Sequence, residues 1–156
     1  MCDCRRNSCE HKNCHSSEHE NCHSCSHNHF HSCGVCSIEE GLKDIEEGIH
    51  DIHEGLRDID EKHFCEGIKD IEEGILDIEE GLEDIKFGLN NTRLRCKSRI
   101  AIREDICDIE DGIRDEIEGL RNICIGNICE GKMFCKEGLC FIEEDLEDII
   151  RVLDMS

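Results

Sequence analysis

Leucine and isoleucine recur at three- and four-residue intervals from Ile38 to Leu89, with charged residues filling most of the positions between them. The unit is seven residues long, close to Glu-Glu-Gly-[Ile/Leu]-x-Asp-Ile. With the residue after each glycine taken as heptad position a, Leu42, Ile49 and Leu56 fall on a, and Ile45, Ile52 and Ile59 on d. A helix with this spacing buries a narrow stripe against a partner helix. Glycine holds position g beside the stripe at Gly41, Gly48, Gly55, Gly67, Gly74, Gly81 and Gly88. The phase returns at Gly112, Gly119 and Gly126, and again at Gly131 and Gly138, so twelve of the thirteen glycines keep it.

A glycine inside a helix costs about 0.8–1 kcal/mol relative to alanine. Twelve of them approach the net stability of an ordinary domain, about 10 kcal/mol, so something must offset the loss. A glycine beside the apolar seam lets a neighbouring backbone approach more closely than a larger residue would. The expected structure is therefore a set of close-packed helices, helped by covalent or metal staples.

The pattern predicts four helices. Ser37 reads as an N-cap, with Glu40 completing a capping box, and the first helix runs to about Glu61. Gly55 and Gly67 lie twelve residues apart, which breaks the heptad and marks a reversal at Asp60-Glu61-Lys62-His63. The second helix covers about Phe64 to Leu89 and stops at Asn90-Asn91-Thr92. The third covers about Leu94 to Ile125, with Ile102, Ile106, Ile109, Ile113, Ile117 and Leu120 on its seam. A cysteine-rich turn region follows around Gly126–Gly131. The fourth helix starts near Gly138 and turns Leu139, Ile142, Leu146, Ile149 and Leu153 inward. Short turns make an all-α, up-down-up-down antiparallel bundle the simplest packing. The domain division is then an arm, residues 1–37, and a heptad-repeat bundle, residues 38–156.

The net charge of −21 disfavours nucleic acid and anionic membrane as partners. No apolar run is long enough for a transmembrane helix. Tryptophan, tyrosine and proline are absent, and there are only five phenylalanines, so an aromatic-lined enzyme cleft is not expected. Nucleophile elbow, phosphate loop and H-E-x-x-H motifs are likewise missing, and the expectation is a protein that is not an enzyme. The start of the chain has no apolar h-region of a signal peptide, yet the chain carries fifteen cysteines. Either the thiols hold metal in a reducing cytoplasm, or they are oxidised after the producing cell lyses.

The arm has almost no apolar side chains, so order in it must come from cross-links, metal or docking. Cys22-His-Ser-Cys25 and Cys33-Gly-Val-Cys36 form a C-x2-C-x7-C-x2-C array of the kind that holds tetrahedral Zn²⁺, with His27, His29 and His31 as substitute ligands. Cys2, Cys4, Cys9 and Cys14 lack metal spacing and are candidates for cross-linking. Among the helices, Cys65, Cys124, Cys129 and Cys135 gather at one pole, while Cys96 lies at the other pole with the arm. A bridge among Cys65, Cys124 and Cys129 would staple the bundle. Cys107 and Cys140 fall on outward b positions and are read as contacts between subunits.

Asp44, Glu47, Asp51, Glu54 and Asp58 form an acidic ridge, echoed by Asp70, Glu73, Asp77, Glu80 and Asp84. Such ridges can hold Ca²⁺ between molecules, but no loop supplies a cage, and a solvated face is expected. His50 and His53 lie three apart on the first helix and could share a metal, but ordinary surface histidines are expected.

Cys2-Asp-Cys4, Cys22-His-Ser-Cys25 and Cys33-Gly-Val-Cys36 resemble, over residues 1–37, the cysteine-rich surface proteins of bacterial endospores: coat, exosporium and appendage proteins. The resemblance implies synthesis in a mother cell and oxidation after its lysis; the known folds of that group are largely not heptad helices. The leading expectation is a self-assembling, disulfide-cross-linked structural protein of a cell or spore surface. The arm of one subunit would link head-to-tail to the opposite pole of the next, giving an open filament. The alternatives are a cytoplasmic protein that buffers or delivers Zn²⁺, Ni²⁺ or Cu⁺ through the arm, and an acidic helical adaptor for a basic partner.

Overall fold

The computed structural model describes residues 34–156. Four helices account for nearly all of them: α1 (Gly34–Asp60), α2 (Phe64–Asn91), α3 (Cys96–Cys124) and α4 (Ile128–Asp154). Among the described residues there is no strand. Adjacent helices run antiparallel, α1 packing closely on α2 and α3 on α4, while the two hairpins touch one another more sparingly. The expected all-α antiparallel bundle is what forms.

The glycines explain the close packing within each hairpin. They pair reciprocally across the α1–α2 interface: Gly34 with Gly88, Gly41 with Gly81, Gly48 with Gly74, and Gly55 with Gly67. In the second hairpin Gly112 faces Gly138 and Gly119 faces Gly131. A methyl group added at any of these positions would sit at or inside about 3.0 Å from the carbonyl oxygen of its opposite number. At most of these glycines the residue four positions on is an isoleucine, which fills the space beside the facing glycine, as Ile85 does at Gly41 and Ile45 at Gly81. Ile45, Ile52, Ile71, Ile78 and Ile85 are consequently sealed from solvent. Removing their apolar surface from water is what offsets the propensity cost of the glycines. Leucines on the next face, among them Leu56, Leu82, Leu89, Leu139 and Leu146, continue the same core.

Two assignments of the glycine phase change. Gly34, outside the expected pattern, opens α1 and completes the pairing with Gly88. Gly126, inside it, is not helical: it adopts φ +93° in the α3–α4 turn, with nothing within 4 Å of where a side chain would be.

Both hairpin turns close in one way. After α1, His63 N donates to Asp58 O at 2.8 Å and Lys62 N to Ile59 O at 3.1 Å, with Lys62 at φ 68°. After α3, Asn127 N donates to Asn122 O at 2.8 Å and Gly126 N to Ile123 O at 3.0 Å. These are Schellman closures with the left-handed residue just past the helix. Lys62 and Gly126 lie 64 residues apart, and the paired glycines nearest the two turns keep that spacing: Gly48 and Gly112, Gly55 and Gly119, Gly67 and Gly131, Gly74 and Gly138. The second hairpin is thus a structural repeat of the first.

The repeat is imperfect away from the turn. Asp105 and Asp145 stand at the equivalents of Gly41 and Gly81, and Ser98 and Val152 at those of Gly34 and Gly88, so the second zipper has two glycine pairs where the first has four. Two further boundaries and one seam position differ from expectation. Ser37 is not an N-cap but lies inside α1, buried at 3 % exposure, and residues 34–37 of the assigned arm belong to that helix. The cysteine-rich turn region is mostly helix, because α4 begins at Ile128, ten residues before Gly138. Ile117 is 40 % exposed and Glu116 takes its place on the seam.

Candidate functional site

The cysteines divide by environment. Cys65 is the second residue of α2, Cys124 the last of α3 and Cys129 the second of α4, so all three stand at the turn end of the rod, where each is an exposed free thiol. The expected staple among them is not formed; the core and the two turns close this end without it. Cys140, also exposed and free, lies halfway along the outer side of α4. Cys96 starts α3 at the opposite end, exposed, and Cys107 is half-buried in mid-α3. Cys36 and Cys96 have interactions of their own, and Cys107 is already disulfide-bonded, so it is not a free outward thiol for contacts between subunits.

Cys135 departs from its assignment. It is fully buried and unavailable for cross-linking. It lies four residues after Gly131, the offset at which the repeat elsewhere places isoleucine, and its sulfur packs against Gly119. Its thiol donates to the Glu116 backbone carbonyl at 3.8 Å, and burial pushes its pKa up.

Glu116 was not expected at all. It lies four residues after Gly112, the same offset, and its side chain extends towards Gly138 of α4, where an added Cβ would meet Oε1 at 3.0 Å. The residue is fully buried, and neither carboxylate oxygen has a partner at good hydrogen-bond geometry; the Cys135 thiol and the Leu139 N–H offset the burial only in part. Burial raises its pKa to about 8. The glycine offset alone was the signal that locates both residues.

Carboxylates line the outer groove of each hairpin. On the first, Asp44 faces Asp84, Asp77 faces Asp51, and Asp70 faces Asp58; Asp44, Asp70 and Asp77 all have raised pKa values, from partial burial first and from the opposing aspartate second. The expected solvated ridge is thus a ladder of half-buried like charges. On the second hairpin Asp105 and Asp145 are each raised to about 6, again by burial and then by neighbouring aspartates including Asp108 and Asp148. The same ladder is interrupted by Phe134 and Phe141, which occupy the equivalents of Asp70 and Asp77.

Two small groups have ligand atoms within 4.8 Å of one another: His50, Asp51 and Glu54, and Asp58, Glu61 and His63. His53 is held at 2.7 Å by Glu143 across the α1–α4 contact, which makes it a bridge between hairpins rather than a partner of His50. Of the expected zinc ligands, Cys36 lies on α1, while Cys22, Cys25, Cys33, His27, His29 and His31 lie outside the described residues. Cys2, Cys4, Cys9 and Cys14 lie outside them too. No described helix is long and apolar enough to cross a membrane. Comparison of the chain with protein-family models, with curated proteins and with solved structures finds no match.

Proposed function

We propose that this protein is a structural building block that polymerises by disulfide cross-linking, with the cysteine-rich N-terminal segment of one copy bonding to the rod of the next. The observation that carries this reading is the outward display of free thiols at Cys65, Cys124, Cys129 and Cys140 on a narrow, zippered rod. A stable fold that needs no internal bridge at its turn end leaves those thiols available for bonds between molecules. The rod begins at Gly34, at the end opposite Cys65, Cys124 and Cys129, so an arm-to-rod bond joins unlike surfaces. Heterologous contacts of that kind propagate into open chains. A cell-surface or spore-surface setting, reached after lysis of the producing cell, supplies the oxidising conditions.

The test is oxidation of the purified full chain, followed by denaturing gels with and without reductant and by electron microscopy. Ladders that collapse only on reduction, together with filaments, support the reading. Oxidised protein that stays a single chain with unbonded thiols overturns it.

A further inference from the structure

The two hairpins share one plan, so a place where the second departs from the first carries information. The turn-proximal half of α2, residues 64–78, bears Glu66, Asp70, Glu72, Glu73 and Asp77 against Lys69, a net charge of −4. The equivalent half of α4, residues 128–142, bears Glu130 and Glu137 against Lys132 and Lys136, and is neutral. Its outer side forms a shallow groove lined by Cys129, Lys132, Met133, Lys136, Glu137 and Cys140. Met133 is 51 % exposed, and Phe141 beside the groove is 54 % exposed. An apolar, neutral face with a free thiol towards each end therefore sits on a strongly acidic rod. Cys129 and Cys140, eleven residues apart on one helix, are separated by about 16 Å along its axis.

Charge narrows what can cover that face. Residues 34–156 hold −20 of the total −21, so two rods repel each other over most of their surfaces. Residues 1–33 carry Arg5, Arg6 and Lys12 against Asp3, Glu10, Glu18 and Glu20, a net −1, and contain seven cysteines. Thirty-three residues extended reach about 110 Å, more than the roughly 40 Å length of a 27-residue helix such as α4. Reach therefore sets no obstacle to bridging molecules, and the near-neutral segment, unlike the acidic faces of a second rod, meets the face without repulsion and brings seven cysteines to it.

Resting on the polymer reading above, we infer that the α4 face between Cys129 and Cys140 is the receiving site for residues 1–33 of a second copy. Met133 and Phe141 supply apolar contact, and Cys129 and Cys140 supply the covalent bonds. Bond formation is thiol–disulfide exchange with a low-molecular-weight disulfide as oxidant. An α4 thiolate attacks that disulfide and releases one small thiolate. An arm thiolate then displaces the second, leaving an arm–α4 disulfide. Two electrons pass to the oxidant, and its two thiolates take up the two protons lost by the protein.

The experiment oxidises the full chain with oxidised glutathione, using wild type, Cys129→Ser/Cys140→Ser and Cys65→Ser/Cys124→Ser, with bonded peptides mapped by mass spectrometry. The expected result is loss of the ladder in the α4 pair alone. Peptides joining residues 1–33 of an isotopically labelled chain to Cys129 or Cys140 of an unlabelled chain are also expected. Met133→Ser/Phe141→Ser, which removes the apolar contact without adding charge, is expected to slow laddering while leaving helix content and melting unchanged. Ladders that persist in Cys129→Ser/Cys140→Ser overturn this site while sparing the polymer reading. Bonds to Cys129 or Cys140 found only within one chain overturn it as well. Absence of any ladder in wild type overturns both.

Discussion

Glu116 and Cys135 face each other across the α3–α4 interface at positions where the repeat elsewhere packs an isoleucine on the facing glycine. A buried carboxyl so poorly hydrogen-bonded is costly in either form, and far more so when ionised. Both groups respond in the same direction: burial raises the Glu116 pKa to about 8 and raises that of Cys135.

The pH dependence follows from that shift. Glu116 ordinarily titrates at 4.5, so above that pH the unfolded chain loses a proton that the folded protein keeps until about pH 8. Stability falls as pH rises through this window and levels off beyond it; the contribution is roughly 3–5 kcal/mol for a shift of this size. Urea melts from pH 4.5 to 8.5 measure it. Glu116→Ile, which restores the repeat, is expected to stabilise the protein and flatten this part of the profile. A slope unchanged by the substitution means that Glu116 is not its source.

Asp105 and Asp145 make a separate prediction near pH 6, where each is raised by burial and by neighbouring aspartates. Above that pH both are ionised in the folded state, and the repulsion weighs on the end of the second hairpin that has no glycine pairs. Stability is lost as pH rises from the ordinary value of 3.8 to about 6, so Asp105→Asn/Asp145→Asn is expected to raise the melting temperature at pH 7.5 and to have little effect at pH 3. Equal gains at both values would point to packing instead of charge.

Replacing glycine by alanine normally stabilises a helix by about 1 kcal/mol. At Gly48 the added methyl would lie within 3.0 Å of the Gly74 carbonyl and of Ile78. Forcing the backbones apart costs about 1–3 kcal/mol by the usual measure of overpacking. Gly48→Ala is therefore expected to lower the melting temperature, and Gly48→Ala/Gly74→Ala to lower it further. A rise in either variant would remove the zipper as the reason for the repeat.

Lys62 holds a left-handed conformation that its counterpart Gly126 adopts without a side chain. Lys62→Gly relieves about 1 kcal/mol of backbone strain, partly cancelled by the greater freedom of the unfolded chain. A small rise in melting temperature is expected, and Gly126→Lys should give a larger fall.

Alkylation kinetics test the division of the thiols. Cys65, Cys124, Cys129 and Cys140 are exposed, so they should react rapidly in the native protein; Cys135, buried and with a raised pKa, should react only on unfolding. Rapid native labelling of Cys135 would contradict the packing around Gly119.

Helical class, seam and glycine phase are all local properties, and the chain alone specifies them through a seven-residue period that only an α-helix presents as one stripe. Ile45, Ile52 and Ile78 can be named as buried without any knowledge of what covers them. Pairing is different. Near-identical heptads make a helix slipped by one repeat almost as favourable as the native register, so the pattern does not choose between them. The Schellman closures at Lys62 and Gly126 make that choice, and they alone decide that Gly48 meets Gly74 and that Glu116 meets Cys135. Burial of an acid and a thiol among isoleucines is therefore a product of tertiary register: their own chemistry argues for the surface, and the helix facing them overrules it.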